Sequence, residues 1–252
     1  MQRILIACCL LLGVLPYIAA AQTTVQQSYT TGGVQQLHLG FKYPQLITVS
    51  TYAGSEVKIT AQVSINGGEY DNRFQFNSST ENGTLTINSH IADYTSIPDM
   101  YVIVRQGKRY TFANTEAGQA ALKKFQANNA GYDYKMHGVD TDIKVTVQVP
   151  EGMALQVDAK FGIVELTGNF GNVKVNAIHG GVDVALAASQ GHDITARTKF
   201  GEIYTNLELP YKPDGQPKNP GQWEVITSRL NGGGRSLQLE SKFGNLYLRR
   251  QQ

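Results

Sequence analysis

The sequence predicts an all-β protein, a β-solenoid or β-roll with rungs of roughly 20 residues. Three observations carry that expectation. Apolar and polar residues alternate with a period of two, a glycine recurs at the same place in each segment, and the segments copy one another almost residue for residue. Aligned on that glycine, LQVDAKFG (155–162), ITARTKFG (194–201) and LQLESKFG (237–244) superimpose, and VKVNAIHG (173–180) fits the same frame.

Ahead of each glycine the alternation assigns one set to the interior: Leu155, Val157, Ala159 and Phe161 in the first copy, Ile194, Ala196, Thr198 and Phe200 in another. Beyond it the interior set resumes in the opposite phase, at Val164 and Leu166, Val182 and Val184, Ile203 and Thr205, and Leu246 and Leu248. Side chains alternate faces along a strand, so such a slip exposes the apolar set unless the backbone turns there. Glycine accepts the φ > 0 or crowded geometry of a corner. Each Lys-Phe-Gly is therefore expected to be a corner with both limbs facing one core, and the phase places Phe161, Phe200 and Phe243 inside rather than in a sugar-stacking platform, with His179 taking their place in the fourth copy.

The register glycines Gly162, Gly180, Gly201 and Gly244 lie 18, 21 and 43 residues apart. The last gap leaves room for a degenerate rung around Gly221, Trp223 and Val225, after a proline-rich loop at 209–221. Stacked rungs explain why matching positions carry similar residues, which a meander of antiparallel hairpins does not require.

Upstream, strands are expected at Val34 to Phe41, Leu46 to Ser50, Val57 to Ile65, Arg73 to Phe76, Thr84 to Ser89 and Ile143 to Val149. They make an irregular β-rich N-terminal half. Ala117, Ala121 and Phe125, spaced by four, predict one helix within Asn114 to Asn129, inside an insertion at about 105–137. No sharp change of composition divides residues 22–252, so they read as a single elongated domain.

The first 21 residues read as a secretory signal peptide: Arg3, an apolar run from Ile4, and small residues at Ala19 and Ala21 before Gln22. Cys8 follows a lipobox-like Leu5, Ile6 and Ala7, but cleavage there leaves almost no apolar segment ahead of it. Both cysteines, Cys8 and Cys9, belong to this stretch, so the exported chain is expected to lack disulfides and thiolate ligands. No later apolar run is long enough to span a membrane. Loss of Arg3 takes the formal charge from +2 to +1, which is no footprint for nucleic acid.

The signal peptide, IKVTVQVPEGMALQVDAKFG (143–162), the repeated glycine rungs and the terminal LQLESKFGNLYLR (237–249) together resemble the bacterial "putative adhesin" domain of unknown function found in secreted Bacteroidetes envelope proteins. The resemblance covers roughly Val34 to Arg250, and the segment 105–137 departs from the pattern. It implies a β-solenoid or β-roll exported across the inner membrane, and it brings no catalytic residues with it.

The candidate ligand contacts are Lys160, Lys199 and Lys242, in one outward position of three copies, with Arg197 beside them. A basic stripe suits acidic glycans or lipid phosphates, and solvated lysines at a strand edge also keep rungs soluble. The five histidines form no zinc spacing; His192 with Asp193, and Asp140 with Asp142, are short polar turns within reach of a cation. Glycan cleavage needs paired carboxylates in a cleft. The outward mixture of Asp158, Arg197, Glu240, Gln156 and Thr195 forms no such pair, so no catalytic residue and no cofactor is expected. Tyr94, Tyr101, Tyr110, Tyr132 and Tyr134 bracket the insertion, either as caps on an irregular solenoid end or as a further contact surface. The expected function is that of a non-enzymatic envelope protein, in the periplasm, at the outer membrane or on the cell surface. It would be adhesin-like, binding or scaffolding a surface glycan, lipid or protein; the alternatives are a structural or regulatory periplasmic protein and a polysaccharide-cleaving enzyme.

Overall fold

The structure, a computed structural model, describes residues 22–187, 189–210 and 221–251. The signal segment therefore lies outside the described residues, as does most of the proline-rich loop. The expected alternating segments all become strands, and four strands that were not expected join them, one at the start of the described chain and three in the insertion. In chain order these are β1 (Thr23–Thr30), β2 (Gln36–Phe41), β3 (Leu46–Tyr52), β4 (Glu56–Ile65), β5 (Phe74–Glu81) and β6 (Thr84–Ile91). An insertion follows, with β7 (Met100–Arg105), β8 (Lys108–Ala113), α1 (Glu116–Asn128) and β9 (Tyr134–Gly138). The repeat region holds β10 (Thr141–Pro150), β11 (Ala154–Phe161), β12 (Ile163–Thr167), β13 (Val173–His179), β14 (Val182–Leu186), β15 (His192–Thr198) and β16 (Ile203–Thr205). The chain closes with β17 (Glu224–Leu230), β18 (Arg235–Ser241) and β19 (Leu246–Arg250).

Two eight-stranded sheets share one apolar core, with strand orders β1-β4-β10-β3-β12-β14-β19-β16 and β17-β15-β18-β13-β11-β2-β6-β5. The chain is thus all-β with one short helix. Both sheets are mixed and open at their ends. Each repeat contributes one strand to each sheet, and β2–β3, β11–β12, β13–β14, β18–β19 and β15–β16 lie parallel to one another in that spatial order. Leu37, Leu155, Val173, Leu237 and Ile194 are consecutive partners across one sheet, all buried.

The repeats do not stack in the order of the chain. The last one, β18–β19, sits between β13–β14 and β15–β16. The 43-residue gap is consequently not filled by a degenerate rung. The segment after Gly221 is β17, which runs antiparallel to β15 on its outer side from Glu224↔Thr198 to Leu230↔His192. To reach its own place on the other side of β15, the chain crosses the end of that strand through Asn231, Gly232, Gly233 and Gly234. The crossing is tight: a Cβ on Gly191 would sit 2.2 Å from the carbonyl oxygen of Gly233.

The corners also differ from expectation. The last interior residues before the bend are small and buried: Ala159, Ala177, Thr198 and Ser241. The following pair points outward, so Phe161, Phe200 and Phe243 are 41%, 52% and 45% exposed, and the interior set resumes at Val164, Val182 and Leu246. The bend has no room for a phenyl ring, because successive corner glycines touch. A Cβ on Gly180 would stand 1.6 Å from the Gly162 oxygen, and one on Gly244 2.3 Å from the Gly180 oxygen. The hydroxyls fit the tight inner turn: Ser241 Oγ donates to the Gly180 carbonyl and accepts from the Gly244 amide, both at 2.8 Å, and Thr198 Oγ1 donates to the Gly244 carbonyl at 2.8 Å.

The insertion folds as a separate three-stranded sheet, β8-β7-β9, with α1 against β8. The helix starts where Thr115 caps it by accepting from the Gly118 amide at 3.2 Å, and Phe125 packs between Tyr110 and Phe112. It occupies the link between β6 and β10, where the other units have only a short corner.

Candidate binding column at the corner

Parallel strands in register set like side chains above one another. Where each alternation breaks outward, four rings therefore form a file: Phe161, His179, Phe243 and Phe200. Centroids are separated by 5.3, 5.0 and 5.0 Å and planes by 19°, 8° and 8°. Rings that nearly parallel at 5 Å must be slipped past one another, the offset arrangement their quadrupoles favour, so a band of each face stays open to solvent. His179, expected in the core, is exposed and is the second ring of this file.

The candidate lysines flank it. Lys160, Lys242 and Lys199 place Nζ 5.3, 5.2 and 5.4 Å from the ring centroids of Phe161, Phe243 and Phe200. Ile178 separates Lys160 from Lys242, whereas Lys242 and Lys199 are neighbours because β18 lies beside β15. At one strand spacing in water two such charges repel by about 0.9 kcal/mol. A cation over an exposed ring is worth about 0.5–1 kcal/mol. The column is therefore held without a bound anion. Among the described residues none of these three lysines has a carboxylate partner.

Arg197 is differently placed. It forms an ion pair with Glu240, with Nε to Oε2 at 2.7 Å, and stacks over Trp223 at 5.0 Å. Its charge is committed to the neighbouring strand. In the same outward row Asp158 accepts from Asn176 at 2.6 Å and Gln156 at 2.9 Å, with His38 Nε2 at 2.6 Å. Partial burial pushes its carboxyl upward, but the hydrogen bonds from Asn176, Gln156 and His38 outweigh that and hold it below the ordinary value. A shallow groove of about 430 Å³ runs beside the column, lined by Gly40, Phe41, Lys42, Ala159, Lys160 and Ile178.

The polar turns singled out in the sequence are used internally. Asp193 pairs with Arg229 at 3.2 Å and accepts from the Gly234 amide, while Asp140 pairs with Arg109. His192 is buried beside Arg235, and neither ring nitrogen has a hydrogen bond of normal geometry. Burial, then the Arg235 charge, pull its pKa below the ordinary histidine value against a weaker opposing contact to the Arg235 backbone. Among the described residues no group of three or more metal-ligating side chains is gathered, and no helix is long and apolar enough to cross a membrane. Of the tyrosines around the insertion, Tyr132 and Tyr134 are exposed, Tyr101 stacks on His137 at 4.3 Å, and Tyr94 stacks on Tyr43 at 5.2 Å.

Sequence reasoning placed the lysines outward and, from the phase, wrongly preferred the core over a stacking surface for Phe161, Phe200 and Phe243. The available signal was the small residue two places before each phenylalanine, which marks the inside of the bend.

No protein-family model matches the chain, and no curated protein does. Solved structures overlay on it, among them these two. One is a "putative cell adhesion protein" from Clostridium sporogenes, with 11% identity and a TM-score of 0.45 over 91% of this chain and 100% of that one. The other is a "putative adhesin" from Bacteroides fragilis, with 10% identity and a TM-score of 0.29 over 92% and 99% of the respective chains. Likenesses at that level carry no argument about what this chain binds.

Proposed function

We propose that the protein is an exported, non-enzymatic component of the bacterial cell envelope, adhesin-like in action, that binds an extended acidic glycan along the corner column. The observation that carries this reading is the exposed file of Phe161, His179, Phe243 and Phe200 with a lysine over each phenylalanine. Sugar rings present apolar C–H faces to aromatic surfaces, and their carboxylates or sulfates pair with ammonium groups. A site that repeats along four adjacent strands suits a polymer rather than a compact ligand. The polar neighbours support binding over catalysis, since Asp158, Arg197 and Glu240 are each held by fixed partners.

The test is calorimetric titration with polygalacturonate, heparin and neutral dextran, on the natural protein and on Phe243→Ala and Lys242→Gln. Binding of an acidic polymer is expected to weaken with salt and to fall at least tenfold in each variant, with dextran unbound. Binding that both variants leave intact would overturn the assignment of the column. No binding by any acidic polymer would leave the rings as a structural stack, and polymer shortening would establish an enzyme.

A further inference from the structure

The two open ends of the double sheet are not alike. At one end the edge strands are β16, of only three residues, and β17, which carries Glu224 and Arg229 with an ion pair to Asp193. Short strands and charges are the usual protection of a sheet edge. At the other end the first sheet finishes on β1, TTVQQSYT, eight residues without a charge, a proline or a glycine. Its pairing with β4 runs without a bulge from Thr23↔Val63 to Thr30↔Glu56. Among the described residues no strand pairs with its outer edge, which leaves alternate amides and carbonyls of a long, regular strand open.

We propose that this edge pairs antiparallel with β1 of a second copy, joining the first sheets of two molecules about a two-fold axis. The strand complements itself. A two-fold axis perpendicular to the sheet keeps the inner faces of the two copies on the same side, so partners must be residues of like parity. Centred on Gln27, that register sets Val25 opposite Tyr29 and Thr24 opposite Thr30. Aromatic with β-branched and threonine with threonine are favourable cross-strand pairs. With no charge on either strand, nothing repels. The core-facing side of β1 is incompletely covered, Val25 and Tyr29 being only half-buried, so pairing adds shelter as well as hydrogen bonds. A second copy is favoured over a foreign strand because the complementarity lies within this one segment.

The test uses the exported chain from Gln22, which contains no cysteine. Sedimentation equilibrium is expected to show a concentration-dependent dimer. Gln27→Lys sets like charges opposite at the axis and is expected to weaken association at least ~fivefold. Gln27 is exposed in the single copy, so melting of the dilute protein should not move. Gln27→Cys is expected to give a disulfide-linked dimer joined at residue 27 under mild oxidation. A monomer at every concentration, a dimer indifferent to Gln27→Lys, or failure of Gln27→Cys to cross-link would each overturn the proposal.

Discussion

Replacing Gly180 with alanine tests the account of the corners. The added methyl would stand 1.6 Å from the Gly162 oxygen and 2.5 Å from its carbonyl carbon, whereas ordinary contact begins at 3.4 Å. The strands would have to part by about 2 Å, and the obstacle is backbone on an adjacent strand rather than a side chain that can turn away. Overpacking in a tight site costs about 1–3 kcal/mol and sometimes more, and a backbone obstacle places this case near 3. For a domain of this size each kcal/mol moves Tm by about 2–4 °C, so a fall of about 6–12 °C is expected in scanning calorimetry. Gly32→Ala is the control: nothing lies within 4 Å of its added methyl, and the change is expected to be neutral or slightly stabilising. If Gly180→Ala melts with Gly32→Ala, the corner glycines do not touch as described and the explanation for the outward phenylalanines fails with them.

Ser241→Ala removes a buried hydroxyl that serves two backbone groups of the same bend, and is expected to cost about 1–3 kcal/mol in denaturant unfolding. Phe200→Ala is expected to cost only about 1 kcal/mol because the ring is half exposed, whereas Leu239→Ala in the core should cost about 2–5 kcal/mol; equal losses would contradict the burial of the two sites. His192 binds its proton less readily when folded than unfolded. Its contribution is therefore complete above the unfolded value of about 6.5 and is lost as pH falls through the lower folded value. Melting temperature measured from pH 7.5 to pH 5 should decline, and His192→Phe should flatten that decline.

How legible the fold was depended on what each pattern measures. Alternation at Leu155, Val157 and Ala159 reports which residues face inward, and the runs of this kind in the two large sheets were found, whereas the insertion's strands β7, β8 and β9 were not. Strand β1 was missed because a polar edge that covers little core has no apolar period to show. The phenylalanines were misplaced because period-two extrapolation was carried one interior position too far, into a bend that only alanine, threonine or serine can line. The lysines could be read as outward from the repeat alone. Their neighbours could not, because adjacency follows the spatial order of the repeats, and nothing in a spacing of 43 residues says that the last repeat enters between two earlier ones. Arg197 with Glu240, and Lys199 beside Lys242, both depend on that entry.

That entry bears on how the protein can reach its folded state. Strands β15 and β16 bond to β17, β18 and β19, all of which are synthesised after them. A chain emerging from its N-terminus can assemble units up to β14, but residues 192–205 must then wait without a sheet to join. The closing segment completes two units at once, because β18 and β19 enter between the β13–β14 unit and the β15–β16 unit near one end of the sheets. Loss of this short tail would release far more than its own length, and a molecule halted just before it would present the raw edge of β13 and β14 to whatever else is folding nearby.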